Sequence, residues 1–327
     1  MVLALLFLLL FFSALLIKAA DMSVVGLRRI ARQAKLGVYA VSAIILAIGT
    51  SFPELSIGVT SALNNTSSLS LGVIIGSNIA NIALIGAIAA LIHGKINVHG
   101  DFLRRDFWIA SAAGILPVLL ILDRTLSSVD GLILLAVYLG YSTSLFKDRF
   151  AEITQNQIDA PEFVYRFWRT VTHIQINKTT EIGKLFLGIA LMLFSADVIV
   201  KVATIFGQMA GIPVFVVGLV VLAIGTSLPE FAFSLRSLQD GEPRMFFGNL
   251  LGSIIANSTL IVGLTAVINP IKIHAVEQYF VSAIFFVMIF VLFWLFVRSK
   301  HRLDRWEAVC LLILYLAFVV IELTLSY

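Results

Sequence analysis

The chain has 327 residues, of which 60% are hydrophobic and only 13% charged, where a soluble domain carries about a quarter charged residues. So little polar surface cannot cover a core of this size in water, which excludes a soluble globular protein and leaves a lipid bilayer as the solvent. The net charge of +4 does not indicate nucleic-acid binding, because the basic residues lie in short segments between apolar runs, as membrane topology requires.

A spanning helix needs about 20 mostly apolar residues. In chain order such spans are predicted at 1–20, 36–62, 69–92, 106–122 and 129–146, then at 183–205, 213–235, 246–268, 276–297 and 306–325. The first run has no basic residue ahead of it and no convincing cleavage site, and Lys18, Arg28, Arg29 and Arg32 follow it. It therefore reads as a retained helix rather than a signal peptide. The one cysteine, Cys310, lies in the last span, so an intrachain disulfide and a cysteine metal site are both excluded. Glu307 and Glu322, in the same span, read as interfacial, and Asp21 and Asp197 read as carboxylates near helix ends.

With the N-terminus placed outside, 20 of the 23 Lys and Arg residues fall in inside segments, against Arg124, Lys201 and Lys272 outside. The positive-inside bias thus predicts both termini on the extracytoplasmic side of a plasma (inner) membrane. The longest polar stretch, 148–182, falls inside. Within it, residues 161–172 place Val164, Phe167, Trp168 and Val171 on one helical face, as expected of an amphipathic helix on the anionic inner leaflet. Its acids show no EF-hand spacing.

Two segments repeat. LAIGTSFPE at 46–54 recurs as LAIGTSLPE at 222–230, an offset of 230 − 54 = 176. The same offset carries Gly76-Ser77 onto Gly252-Ser253, Asn81 onto Asn257 and Ala20-Asp21 onto Ala196-Asp197. The chain divides accordingly into a first five-helix repeat (1–147), a cytoplasmic linker (148–182) and a second five-helix repeat (183–327). Five helices per half is odd, so the second half enters the membrane from the opposite side. The fold is predicted to be all-α, with ten transmembrane helices in a 5+5 inverted repeat, the design in which a site forms at the midplane where interrupted helices meet.

Proline supplies the interruptions: Pro53 cannot donate to the carbonyl of Gly49, nor Pro229 to that of Gly225. Thr50 with Glu54, Ser77 with Asn81, Thr226 with Glu230 and Ser253 with Asn257 are each four residues apart and share a helical face. The set is almost entirely oxygen donors, with no His, Cys or Met. It suits a hard cation (calcium, sodium, magnesium or manganese) rather than zinc or copper. An ionised Glu at mid-bilayer costs at least ~2.5 kcal/mol, and two facing one cavity repel. One divalent or two monovalent cations resolve both problems.

GTSFPE and GTSLPE, each followed by GS-x-x-x-N (76–81 and 252–257), resemble the alpha-repeats of the sodium/calcium exchanger family of calcium:cation antiporters. The resemblance covers nearly the whole chain. It implies that Glu54 and Glu230 are the main calcium ligands. It also implies that Thr50, Ser51, Ser77, Thr226, Ser227 and Ser253, with the carbonyls of Ala47 and Ala223, line the calcium and sodium positions, and that Asn81 and Asn257 flank the middle. It further implies that the first and sixth helices slide as a gating pair. Many relatives carry Asp at the position of Asn257, and potassium-dependent ones carry Asp at that of Asn81. Asn at both argues against potassium dependence and leaves the sodium stoichiometry open.

The function expected is secondary antiport of calcium against sodium by alternating access, with a proton-coupled exchanger as the alternative. The chain is expected to act as a monomer in lipid, with no cofactor and no enzymatic activity. A channel filter is normally a ring of identical subunits, whereas this chain holds both halves of its site. The Ser and Thr hydroxyls have no partnered His or Lys to make them nucleophiles.

Overall fold

The structure, a computed structural model, describes residues 2–33, 51–97, 102–154 and 179–325. These are helical almost throughout: α1 (Val2–Gln33), α2 (Phe52–Leu63), α3 (Ser67–His93), α4 (Phe102–Leu120), α5 (Ser128–Thr154), α6 (Thr179–Ala210), α7 (Val214–Gln239), α8 (Pro243–Ile268), α9 (Val276–Lys300) and α10 (Arg305–Leu325). The fold is that of an all-α polytopic membrane protein. Among the described residues, seven helices are long and apolar enough to cross a bilayer: α1, α3, α6, α7, α8, α9 and α10. The apolar part of α4, Phe107–Leu120, is shorter. The predicted span 36–62 is described only from Ser51 onward, and the predicted amphipathic helix at 161–172 lies outside the described residues.

Several helices run beyond their predicted spans, two of them by the largest margins. α1 continues past Lys18 to Gln33, and α5 runs to Thr154. Hydropathy marks where a helix leaves lipid, not where its hydrogen bonding ends, and a helix entering water stops only at a capping or breaking signal. Glu307 and Glu322 are also placed differently from the sequence reading, being buried rather than turned to the interface. Glu307 accepts the Asp304 backbone N–H at 2.9 Å and so closes the first turn of α10.

Two short antiparallel ribbons tie the halves together. β1 (Ile96–Asn97) pairs with β4 (Arg302–Leu303), and β2 (Thr125–Leu126) with β3 (Ile271–Lys272). Ile96 lies opposite Leu303 and Ile271 opposite Leu126, so an Ile–Leu pair is repeated with the two halves exchanged. The turns after α2 and α7 each use one residue of positive φ, Asn65 (58°) and Gly241 (74°), which are 241 − 65 = 176 positions apart.

Side chains separate into two apolar clusters. The larger joins α3, α4, α8, α9 and α10 through residues such as Ile79, Ile82, Phe107, Phe247, Ile254, Phe290 and Phe318. The smaller joins α1 to α6 through Leu9, Leu16, Ala19, Met192, Ala196, Ile199 and Val200, and touches the rest through Ile57, Leu69, Val73, Val217 and Leu222. α1 and α6 thus pack more extensively on each other than on the remaining helices.

Among the described glycines, those whose added Cβ would come nearest to backbone lie where α3 meets the first arm of α7. A Cβ on Gly72 would lie 2.0 Å from the Phe215 carbonyl oxygen, and one on Gly76 would lie 2.1 Å from that of Leu219. In lipid, where helices gain nothing by hiding apolar surface from one another, small residues four apart permit the backbone contact that holds them together.

Candidate cation-binding site

The repeated motif builds a helix break, and the break falls at its serine. Ser227 (φ −84°, ψ 3°) separates the two arms of α7, and Ser51 (φ −90°, ψ 10°) precedes α2. Pro53 and Pro229 then occupy the second position of the following helix, where a missing N–H is tolerated. Glu54 and Glu230 follow in the first turn, at the positive end of the helix dipole, which favours a carboxylate there. Ser-x-x-Glu is the spacing of a capping box, yet neither serine side chain caps its helix. The break therefore leaves hydroxyls and carboxyls for another partner.

The GS-x-x-x-N segments carry a second irregularity. α3 widens to a π-helix over Asn81–Gly86, and α8 over Ala256–Ile261. Both insertions begin at or just before the repeated asparagine. Single π-turns inside α-helices are frequent at functional sites, because they rotate side chains out of the regular ladder. A third, Val217–Leu222, lies in the first arm of α7.

Side-chain contacts link four helices. The Thr226 hydroxyl of α7 lies against the Glu54 carboxyl of α2 and 3.3 Å from the Ser77 hydroxyl of α3. Asn257 of α8 donates its amide to Asn78 Oδ1 of α3 at 3.2 Å. Of the sequence-predicted residues, Ser51, Glu54, Ser77, Asn81, Ala223, Thr226, Ser227, Glu230, Ser253 and Asn257 are all buried. Thr50 and Ala47 lie outside the described residues. The Ala223 carbonyl, assigned to the ion by resemblance, accepts the Ser227 N–H at 3.2 Å and the Thr226 hydroxyl at 3.4 Å.

Polarity without partners marks the place. Ser51 Oγ, Asn81 Oδ1, Ser227 Oγ, Ser253 Oγ and Asn257 Oδ1 are buried, and none has a hydrogen-bond partner among the described residues. Each such group left alone costs about 1–3 kcal/mol, and five residues from both repeats share the condition. All are oxygens, all can accept, and a hard cation is the species that takes many oxygen ligands at once. No group of three or more His, Cys, Asp or Glu residues occurs among the described residues, so hydroxyls and amides, rather than a carboxylate cage, would have to complete the coordination.

Sequence reasoning missed Asn78 and Ser258. Asn78 is buried, donates to Ser258 Oγ at 2.9 Å and receives Asn257. The repeat itself concealed it, because position 78 + 176 = 254 holds isoleucine. A search for duplicated polar residues passes over a polar residue that occurs in one repeat only.

Fold and site together define an integral membrane protein that buries paired oxygen donors suited to a hard cation. A profile described as sodium/calcium exchanger protein matches the chain twice, over residues 4–147 and 181–324. The sodium/calcium exchanger MaX1 of Methanosarcina acetivorans is 26% identical, with 94% of this chain and 95% of that protein aligned. The inner membrane protein YrbG of Escherichia coli K12 is 32% identical over 69% of this chain and 68% of its own length. Among solved structures, the sodium-calcium exchanger NCX_Mj soaked with 2.5 mM Na+ and 10 mM Sr2+ superposes with a TM-score of 0.61 at 25% identity, over 98% of this chain and 99% of that one. The chain belongs to the sodium/calcium exchanger family: it is a cation exchanger, not an enzyme.

Proposed function

We propose that this chain exchanges calcium for sodium by alternating access, with the ions held between the two repeated motifs. The observation that carries the proposal is the set of buried, unpartnered oxygens of Ser51, Asn81, Ser227, Ser253 and Asn257 beside the buried carboxyls of Glu54 and Glu230 in the same motifs. Glu54 and Glu230 are the charged ligands. Thr50, Ser77, Thr226 and the carbonyls of Ala47 and Ala223 complete the set. Support for the ion pair comes from relatives: MaX1 bears the name sodium/calcium exchanger, and the NCX_Mj structures hold this fold in Na+ with Sr2+, a close chemical analogue of calcium. The test is uptake of labelled calcium into sodium-loaded proteoliposomes. Uptake that needs the outward sodium gradient supports the proposal. Uptake driven by a pH gradient with no sodium present refutes sodium coupling.

Gating follows from the packing. α1 and α6 form the moving pair, sliding over the remainder along the surface of Ile57, Leu69, Val73, Val217 and Leu222. The architecture that permits this is a 5+5 inverted repeat of ten spans with both termini outside. The two ribbons support it, since β1 and β4 fall on the side the charge bias assigns to the cytoplasm, and β2 and β3 on the other. In a Cys310→Ala background, Asn65→Cys is expected to react with an impermeant thiol reagent from outside, and Glu242→Cys only from inside. The two turns are counterparts in the repeat, so labelling of both from one side would break the inverted topology.

Charge sets the electrical signature. With Asn81 and Asn257 neutral, Glu54 and Glu230 give the site −2, which one calcium or two sodium ions bring to zero. Three sodium ions would leave +1 at mid-membrane. Exchange is therefore expected to depend only weakly on voltage, since each net charge moved per cycle would couple ~2.3 kcal/mol per 100 mV. Calcium uptake measured at several clamped potentials checks this, and a steep dependence would restore a three-for-one cycle.

A further inference from the structure

We infer that Asn78 is a positioning residue. By capturing the amide nitrogen of Asn257, it fixes the Asn257 side chain so that only its oxygen is presented to the cation. The inference rests on the site reading given above and adds to it a residue outside the repeated motif.

An asparagine side chain has a donor arm and an acceptor arm of nearly the same shape. At a cation site the two are opposites, because the oxygen is a ligand and the NH2 is repelled. Nothing in the covalent structure of Asn257 selects the first over the second. Selection comes from what holds the other arm. Asn257 Nδ2 donates to Asn78 Oδ1 at 3.2 Å, and Asn78 Nδ2 in turn donates to Ser258 Oγ at 2.9 Å. The direction of this chain is set at Ser258, whose hydroxyl accepts here: with Asn78 Nδ2 given to it, Asn78 turns its acceptor to Asn257, and Asn257 offers its donor. All three side chains are buried, so water does not compete for these bonds. Asn257 Oδ1 is the arm left over, and it has no partner among the described residues.

The two repeats differ here. The counterpart of Asn78 in the second repeat is Ile254, fully buried and without polar atoms, so Asn81 receives no such bond from it. The bond that holds the Asn257 amide thus has no counterpart from Ile254 in the other repeat. A carboxylate has two equivalent oxygens and needs no orientation; an amide does. Asn78 thus makes a neutral side chain serve as an oxygen ligand of fixed sense, one that takes up no proton in the cycle.

The experiment is a double-substitution cycle with calcium chloride as the probe, read as calcium-dependent thermal stabilisation of purified protein and as KM against kcat for uptake. Asn78 borders a cavity lined also by Gly114, Pro117, Ser258, Tyr279 and Phe286, so truncation enlarges an existing void, and Asn78→Ala is expected to fold with a lowered melting point. Asn78→Ser is the second variant, because its hydroxyl is one atom too short to span to Asn257. In the Asn257 background each should weaken apparent calcium affinity roughly 10-fold, which is about 1.4 kcal/mol, appearing in KM more than in kcat. In an Asn257→Asp background the same substitutions should lower the calcium-free melting point as before, yet change calcium affinity less than about 2-fold, or 0.4 kcal/mol. Equal loss of affinity in both backgrounds would show that Asn78 acts only on the packing and would overturn the inference. If Asn257→Ala by itself leaves calcium affinity unchanged, Asn257 is not a ligand and the inference falls with that assignment, whereas the Glu54 and Glu230 assignment is judged by their own variants.

Discussion

Replacing Glu54 or Glu230 by glutamine is expected to abolish calcium exchange while leaving the protein folded. Glutamine keeps the shape of glutamate and removes one unit of charge, so the helix breaks at Ser51 and Ser227 and the surrounding packing persist. What changes is the balance at the ion. Two carboxylates neutralise one calcium; one carboxylate leaves a net positive charge buried in hydrocarbon, at a cost of at least ~2.5 kcal/mol on insertion scales. The amide also presents NH2 rather than oxygen to a cation in one of its two orientations. Both variants should elute from size exclusion as the parent does and melt at the parent's calcium-free temperature, but calcium should no longer raise that temperature, as it must for any ligand that binds only the folded state. Uptake near the parental rate in either variant would remove that glutamate from the site.

The second large effect is expected at the seam between α3 and α7. Gly72→Ala and Gly76→Ala each add one methyl group, aimed at the carbonyl oxygens of Phe215 and Leu219 at 2.0 and 2.1 Å. Those atoms belong to backbone, which cannot turn aside as a side chain can. The helices must separate, and the cost should exceed the ~1–3 kcal/mol typical of an overpacked core. Separation would also pull Ser77 from Thr226, now 3.3 Å apart, so site and seam should fail together. Gly140→Ala is the control: it lies on the exposed face of α5 with nothing among the described residues within 4 Å of the added atom, and should gain up to ~1 kcal/mol of helix propensity. The prediction fails if the Gly72 or Gly76 variant melts no lower than the Gly140 variant.

These variants also bear on why two inexact copies of one motif make a working site. The repeats supply matched breaks, matched glutamates and matched asparagines, all of them buried. Asn78 and Ile254 show where the copies have diverged, and divergence is what allows one asparagine to be held differently from the other.

Much of this was legible without coordinates. A composition of 60% hydrophobic and 13% charged residues dictates helices in lipid, because a lone helix can satisfy its own backbone there. The 176-residue offset picks out Ser51, Glu54, Ser77, Asn81, Ser227, Glu230, Ser253 and Asn257, all of which prove to be buried. These are properties of local segments, repeated, and local rules read them.

What only the tertiary structure decided is which segment meets which. The α3–α7 seam joins residues some 140 positions apart, the ribbons join Ile96 to Leu303 and Leu126 to Ile271, and the amide of Asn257 reaches across 179 positions to Asn78. No periodicity encodes such partners, since each depends on distant backbones arriving at a set distance and angle. The burial of Glu307 and Glu322 has the same origin: hydropathy reports the composition of a segment, whereas burial reports what packs against it. The sequence determined the solvent, the repeat and the chemistry of the donors; packing decided that Thr226 of one repeat meets Ser77 of the other and that the amide of Asn257 meets Asn78.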